Sequence, residues 1–321
     1  MKKQGQIILY VVISLLMISV ASGLLLWKIS KNRQEEVVQV QTEEQPVEEK
    51  SEEATVLEEE TVPCEETVEE ESEPEEQYIV ETKYDKEIIV ENGIEFHLIA
   101  GDTWQGSMMV IPDASRVFIG TPRDTYNGQP GMNVPSIVER YENVIAAVNG
   151  AFFVDTNQVG NGGTPIGFVF SQGEQKYGGN GSFRLIGLDQ NNRIVCGIMT
   201  GQEAIDAGVR DALTCNPILV QNGETGDLST MGQTLRDART AIGGREDGAF
   251  LILTIDGRMP HSIGATTQDE ADVMLAFGAV AAGNLDGGGS VGLYYTGTPL
   301  EGVASVLGTR PVPNAVCVSG E

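Results

Sequence analysis

Asn284-Leu285-Asp286-Gly287-Gly288-Gly289-Ser290 is the stretch on which the reading of this chain turns. Three consecutive glycines lose much chain entropy on ordering, so a folded protein keeps them where backbone must approach a neighbour closely or turn with positive φ. Asp286 puts a carboxylate on the edge of that opening. The preceding segment, Thr267 to Ala282, reads as an amphipathic helix and Val291 to Tyr295 as a strand. The loop is therefore expected between a helix and a strand, where sites are commonly built on a rigid scaffold. Spacing alone leaves two readings open, the centre of a sugar or phosphate site or a tight connection that needs small residues.

Outward from the loop, composition divides the 321 residues, of formal charge −27, into three unlike parts. Residues 1–34 carry five basic residues and no acid, whereas residues 35–76 carry 19 glutamates and one lysine. The remaining 245 residues hold −14, enough chain for one large domain with a substantial core. That balance argues against nucleic acid as a partner, because binding it depends on Lys and Arg neutralising phosphates.

Ile7 to Trp27 is a run of 21 residues without a charge, flanked by Lys2, Lys3, Lys28, Lys31 and Arg33. About 20 apolar residues span a bilayer, so the run reads as a signal anchor. Cleavage near Ser19-Val20-Ala21-Ser22 is the minority reading, and basic flanks on both sides leave orientation open. The glutamate-rich segment after it cannot bury enough apolar surface to offset chain entropy, and its charges repel, so an extended stalk is expected. The expected organisation is a cytoplasmic tail over 1–6, an anchor over 7–27, a stalk over 28–77 and a folded domain over 78–321. A stalk of this kind makes most sense for a single-pass cell-membrane protein whose C-terminal domain works outside the cytoplasm.

From Tyr78 onward, apolar and polar residues alternate. Glu87 to Val90 and Ile94 to Ile99 around Asn92-Gly93 predict a hairpin, and strands follow at Met108 to Ile111, Arg116 to Ile119 and Val144 to Val148. A short helix is expected from Pro135-Ser136 to about Asn143. Gly167 to Phe170, Ser182 to Leu188, Arg193 to Met199, Pro217 to Gln221, Thr240 to Gly243, Ala249 to Ile255 and Ala315 to Val318 read as further strands. Thr200 with Glu203, and Thr267 with Glu270, have capping-box spacing. Many strands, few helices and no regular βαβ alternation predict an α+β fold, a mostly antiparallel, strand-rich single domain. Among Cys64, Cys196, Cys215 and Cys317 there is no metal-ligand spacing; Cys196 and Cys215 could pair if exported, with buried free thiols the preferred reading.

Six segments come in one order: Val148-Asn149-Gly150-Ala151-Phe152-Phe153, Thr164-Pro165-Ile166-Gly167, Arg239-Thr240-Ala241-Ile242-Gly243, Ile255-Asp256-Gly257-Arg258, Asn284 to Ser290, and Arg310-Pro311-Val312-Pro313-Asn314-Ala315. Together they resemble the phosphodiester glycosidase family over roughly Asn143 to Val318. Two positions depart from the family pattern: Ala151 stands where Gly or Asp is frequent, and Asp155 comes one place later than the acid following the Phe-Phe pair. The resemblance implies cleavage of a sugar joined through its anomeric carbon to a phosphodiester; with the expected anchor and stalk, a glycan or cell-wall polymer sugar phosphate is the expected substrate. A binding module of the same fold and a phosphodiesterase splitting P–O are the competing expectations.

Such chemistry needs a carboxylate at the anomeric carbon to meet an oxocarbenium-like transition state, and positive charge with N–H groups near the phosphate. Asp286 is the first candidate for the carboxylate, Asp256 the second, and His261 a candidate acid or ligand. Arg239 and Arg310 are candidates for the phosphate, with the N–H groups of Gly287, Gly288 and Gly289. Asn149 can reach sugar hydroxyls; Gly150, Thr240, Asn284 and Ser290 complete the candidate binding set. Each has a structural counterpart: Asp286 capping the glycine turn, Asp256 forming a hairpin, the arginines pairing buried acids, Asn149 bonding backbone, and His97 packing in a strand. No cofactor is expected. The carboxylates present no dense cluster that requires a metal, and a divalent cation on Asp286 or Asp256 stays open.

Overall fold

Asn92 and Gly93 turn the chain with φ of 53° and 65°, the left-handed pair that a two-residue hairpin needs, between strands Asp85–Glu91 and Ile94–Ala100. These strands open one edge of an eight-stranded sheet in the computed structural model, which describes residues 79–155, 160–230, 234–296 and 310–321. The chain divides between Glu73 and Pro74, and the anchor and stalk expected from the sequence lie outside the described residues. Among the described residues, no helix is long and apolar enough to cross a membrane.

The eight-stranded sheet continues through Gln105–Ile111, Phe250–Ile255, Arg239–Arg245, Ala279–Asn284 and Ile218–Gln221 to Glu224–Thr225. A five-stranded sheet orders Glu174–Tyr177, Val169–Ser171, Val209–Thr214, Ser182–Asp189 and Ile194–Thr200, and a four-stranded one orders Leu293–Tyr295, Val144–Asn149, Ala315–Ser319 and Val117–Gly120. Every strand pairing among the described residues is antiparallel, so the fold is strand-rich with a few short helices.

Both faces of the central strands are buried, which is why Met108 to Ile111 and Leu251 to Leu253 read as continuous apolar runs. Met108, Val110, Ala241, Leu251 and Leu253 pack with Val273, Met274 and Phe277, on and just after helix Thr267–Ala276. Met109, Ile111, Ile242, Phe250 and Ile252 point the other way and meet Val148, Val316, Ile186 and Leu213 of the smaller sheets. Asp211 stitches the two smaller sheets together by accepting the Ile119 N–H at 2.8 Å and the Gln172 N–H at 3.1 Å.

Local signals were legible to different degrees. Thr200 caps helix Gly201–Asp206 with Glu203 in the expected reciprocal box. The second box lies one residue earlier than predicted, between Thr266 and Asp269. The helix it opens stops at Ala276, and Gly278 at φ 81° turns the chain into strand Ala279–Asn284. The sequence predicts helix through Ala282, because a largely buried strand of small residues, Ala279-Val280-Ala281-Ala282, carries no period-two signal. The glycine loop therefore joins two strands, not a helix and a strand. Helix Val134–Val138 is capped by Asn133 and ends before Asn143, which takes φ 56°. Strands Glu174–Tyr177 and Val209–Thr214 were missed. Cys196, Cys215 and Cys317 are free thiols.

Candidate active site

Strand Ala279–Asn284 runs in the eight-stranded sheet and Leu293–Tyr295 in the four-stranded sheet, so the glycine loop is the place where the chain changes sheets. A backbone crossing between sheets leaves ladder groups to be satisfied elsewhere, and here three loop N–H groups find carbonyls on neighbouring segments. The Leu285 N–H donates to the Thr240 carbonyl at 2.8 Å, the Asp286 N–H to Gly150 at 3.1 Å and the Gly288 N–H to Ala238 at 2.8 Å. Asn149 ties the arrangement together. Its Nδ2 donates to the Asp286 carbonyl at 2.6 Å, while its Oδ1 accepts the Thr240 hydroxyl at 2.7 Å and the Gly292 N–H at 3.3 Å. Gly288 needs its missing side chain: φ is 58°, and a Cβ would stand 2.7 Å from Nη2 of Arg258.

The loop forms one wall of a cavity of about 490 Å³, whose charged lining includes Asp155, Asp237, Arg258, Asp286 and Arg310. Arg310 donates from Nη2 to Asp155 at 2.7 Å and lies over the Phe153 ring at 4.6 Å. Arg258 forms a two-pronged pair with Asp237 at 2.7 and 2.8 Å, from a backbone held at φ 62°. Positive φ in a residue with a long side chain is strain of the kind that collects at sites. Hydrogen bonding to Arg310 holds Asp155 below the usual carboxylate range. Asp286 moves the other way: burial pushes its carboxyl up to about 6, against the pull of the Ser290 side chain, the Arg310 charge and the Gly287 N–H.

A second cavity, of about 510 Å³, meets the first at Phe152, Asp155 and Asp286. Its lining is chiefly apolar, with Phe153, Ile166, Phe183 and Ile198, and Arg184 stands among them. Asp286 is thus at the junction of a charged chamber and an apolar one. Among the described residues, no group of three or more His, Cys, Asp and Glu side chains is arranged to hold a metal ion.

The model of one protein family, phosphodiester glycosidase, matches residues 142–319, more than half of the chain. This chain belongs to the phosphodiester glycosidase family. Its fold is similar to that of the zebrafish N-acetylglucosamine-1-phosphodiester alpha-N-acetylglucosaminidase catalytic domain auto-inhibited by its pro-peptide, with a TM-score of 0.60 and 18% identity over 75% of this chain and 88% of that one. A hypothetical protein from Synechocystis is similar at a TM-score of 0.51 and 17% identity, over 71% of this chain and 62% of that one. The SPbeta prophage-derived uncharacterized protein YomE of Bacillus subtilis (strain 168) is 36% identical over 89 residues, 27% of this chain. The matched part spans only 14% of that relative's length.

Within this phosphodiester glycosidase domain the candidate residues separate clearly. Asp286, Gly287, Gly288, Gly289, Asn284 and Arg310 all line the charged cavity. Ser290 backs Asp286 from a buried position. Asn149 is fully buried with its amide committed to Asp286, Thr240 and Gly292, so it holds the loop and does not face a sugar. Gly150 and Thr240 likewise serve the loop, through their carbonyls and the Thr240 hydroxyl.

Arg239 touches the cavity wall, but its guanidinium turns inward to the Ala265 and Leu235 carbonyls and to Glu270 at 3.8 Å. It shares the helix-facing side of its strand with Ala241, which decides the direction. Asp256 is buried and His261 exposed, with Nε2 of the histidine 4.0 Å from Oδ2 of the aspartate, and neither lines either cavity. Asp155, Asp237 and Arg258 also line the charged cavity, at positions where the sequence predicts no site residue. Arg258 closes the Ile255-Asp256-Gly257-Arg258 segment, two places beyond the candidate Asp256.

Proposed function

We propose that the domain hydrolyses the bond between a sugar anomeric carbon and a phosphodiester oxygen, with Asp286 as the carboxylate at that carbon. One observation carries the reading: a carboxyl raised to about 6 by burial stands between a chamber holding Arg258 and Arg310 and a chiefly apolar chamber. The phosphate would lie against the two guanidinium groups and the glycine loop, where charge-assisted hydrogen bonds are strongest. Above about pH 6 Asp286 is ionised and can attack the anomeric carbon or take a proton from water that does. The C–O bond breaks, its electron pair leaves with the phosphate oxygen, and water supplies the hydroxyl of the released sugar. The leaving phosphomonoester is weakly basic, so the scheme needs no strong acid facing it.

The substrate class we propose is a glycan or cell-wall polymer sugar phosphate. Its place is outside the cytoplasmic membrane, tethered through the apolar run of residues 7–27 and spaced by the glutamate-rich segment. Hydrolysis in oxygen-18 water tests the bond assignment. Label in the sugar supports C–O cleavage, label in the phosphate replaces it with a phosphodiesterase, and binding without turnover of glycosyl phosphodiesters replaces it with a glycan-binding domain.

A further inference from the structure

The apolar chamber contains a charge that the reaction leaves unused. Arg184 lines it, on strand Ser182–Asp189, directly across the ladder from Ile198, which is 65% exposed at the rim. Residues directly opposite in an antiparallel pair project to the same face, so the two side chains share that wall. Among the described residues, Arg258 has Asp237, Arg310 has Asp155 and Arg239 has Glu270, yet no carboxylate lies within ion-pair distance of Arg184. Its charge is felt by the buried Cys215 thiol, also in the chamber wall, and by the exposed Asp227. A half-buried guanidinium that no carboxylate among the described residues pairs with closely keeps most of its demand for an anion.

The order of groups across the two chambers gives that demand a direction. Arg258 and Arg310 line the charged chamber, Asp286 lines both, and Arg184 lines only the apolar one. A substrate with its phosphodiester on the first pair and its anomeric carbon at Asp286 must extend its sugar past Phe152 and Phe153 toward Arg184. The phenylalanine side chains give a sugar an apolar wall but no hydrogen bonds. We infer that the preferred sugar carries a second anionic group remote from its anomeric carbon, a phosphate ester or a carboxylate, received by Arg184. This rests on the proposed substrate orientation, and it makes the domain selective for acidic repeating units over neutral sugars.

The test uses the full chain and three glycosyl phosphodiesters that share one aglycone: a neutral hexose, its 6-phosphate and its uronate. Arg184 is expected to favour one of the acidic sugars over the neutral one in kcat/KM by about tenfold or more, and Arg184→Gln to collapse that ratio while Arg184→Lys keeps part of it. The phosphate and uronate arms identify which anion is meant. Equal kcat/KM for all three substrates in the unaltered chain, or a ratio unchanged by Arg184→Gln, overturns the inference. Calorimetric binding of hexose 1,6-bisphosphate against the 1-phosphate alone separates the two proposals. Arg184-dependent binding without turnover retains the anion site and rejects the hydrolase, and turnover without Arg184 dependence does the reverse.

Discussion

Nδ2 of Asn149 donates to the main-chain carbonyl of Asp286 at 2.6 Å, and this bond fastens the end of a strand in the four-stranded sheet to the loop leaving the eight-stranded one. The candidate carboxylate is therefore held by a residue that never faces the cavity. Asn149 is a positioning residue, and the geometry predicts how its loss will look.

Asn149→Ala removes the donor and leaves the Asp286 carbonyl and Thr240 hydroxyl unsatisfied in a dry setting. Stability in urea unfolding should fall by about 1–3 kcal/mol. Turnover of a glycosyl phosphodiester should fall mainly in kcat, because the cavity arginines are untouched. A variant with normal kcat and raised KM would return Asn149 to direct substrate contact.

Asp286→Asn should lower turnover at least about a thousandfold with the fold retained. In the unaltered chain, kcat/KM should rise as pH climbs through about 6, as Asp286 loses its proton. Stability has the opposite trend. The folded pKa lies above the ordinary 3.8, so the folded state holds a proton the unfolded chain has released, and this contribution is lost as pH rises through about 6. Asp286→Asn should therefore be more stable to unfolding than the unaltered chain at pH 8, by an amount on the order of 1 kcal/mol after solvent screening.

Glu270 provides a second pH signature that does not involve the reaction. Burial pushes its carboxyl up to about 8, against the opposing charge of Arg239. Its contribution to stability is fully present below the ordinary value of 4.5 and is lost as pH climbs through about 8. Glu270→Gln should flatten that decline, which is on the order of a few kcal/mol between those limits. Unfolding midpoints across the pH range read it directly.

Arg310→Ala and Arg258→Ala should each raise KM for a glycosyl phosphodiester by about tenfold or more if the proposed orientation holds, since each removes a guanidinium from the charged chamber. Arg239→Ala should act differently. It strands Glu270 and should appear first as lost stability in a melting curve.

Gly288→Ala tests the close packing of the loop. The backbone at φ 58° and the contact with Arg258 both oppose a methyl group there. Stability should drop by about 1 kcal/mol or more and KM should rise together with it, because the displaced group is the Arg258 guanidinium. Unchanged KM would place the Arg258–Asp237 pair outside substrate binding.

Much of the fold was written in short-range patterns. Asn92-Gly93 set a hairpin, Thr200 with Glu203 set a helix start, and alternation set most of the strands, since each depends only on neighbouring residues. The glycine loop and Asp286 were also legible, because three adjacent glycines have few other uses. The helix end was not: Ala279 to Ala282 suits either state until burial on both faces of a sheet selects the strand.

Residue roles in the cavity needed the third dimension. Arg239 and Arg258 are equivalent as letters, yet strand alternation turns the first toward Glu270 while a left-handed backbone swings the second over Gly288. Asp155 meets Arg310 across 155 positions, and Asn149 meets Asp286 across 137. Residue type and order place the chain in its family and mark the glycine loop with Asp286. Which side chains line the cavity depends on burial and on partners brought together from distant segments, and those exist only once the sheets have packed.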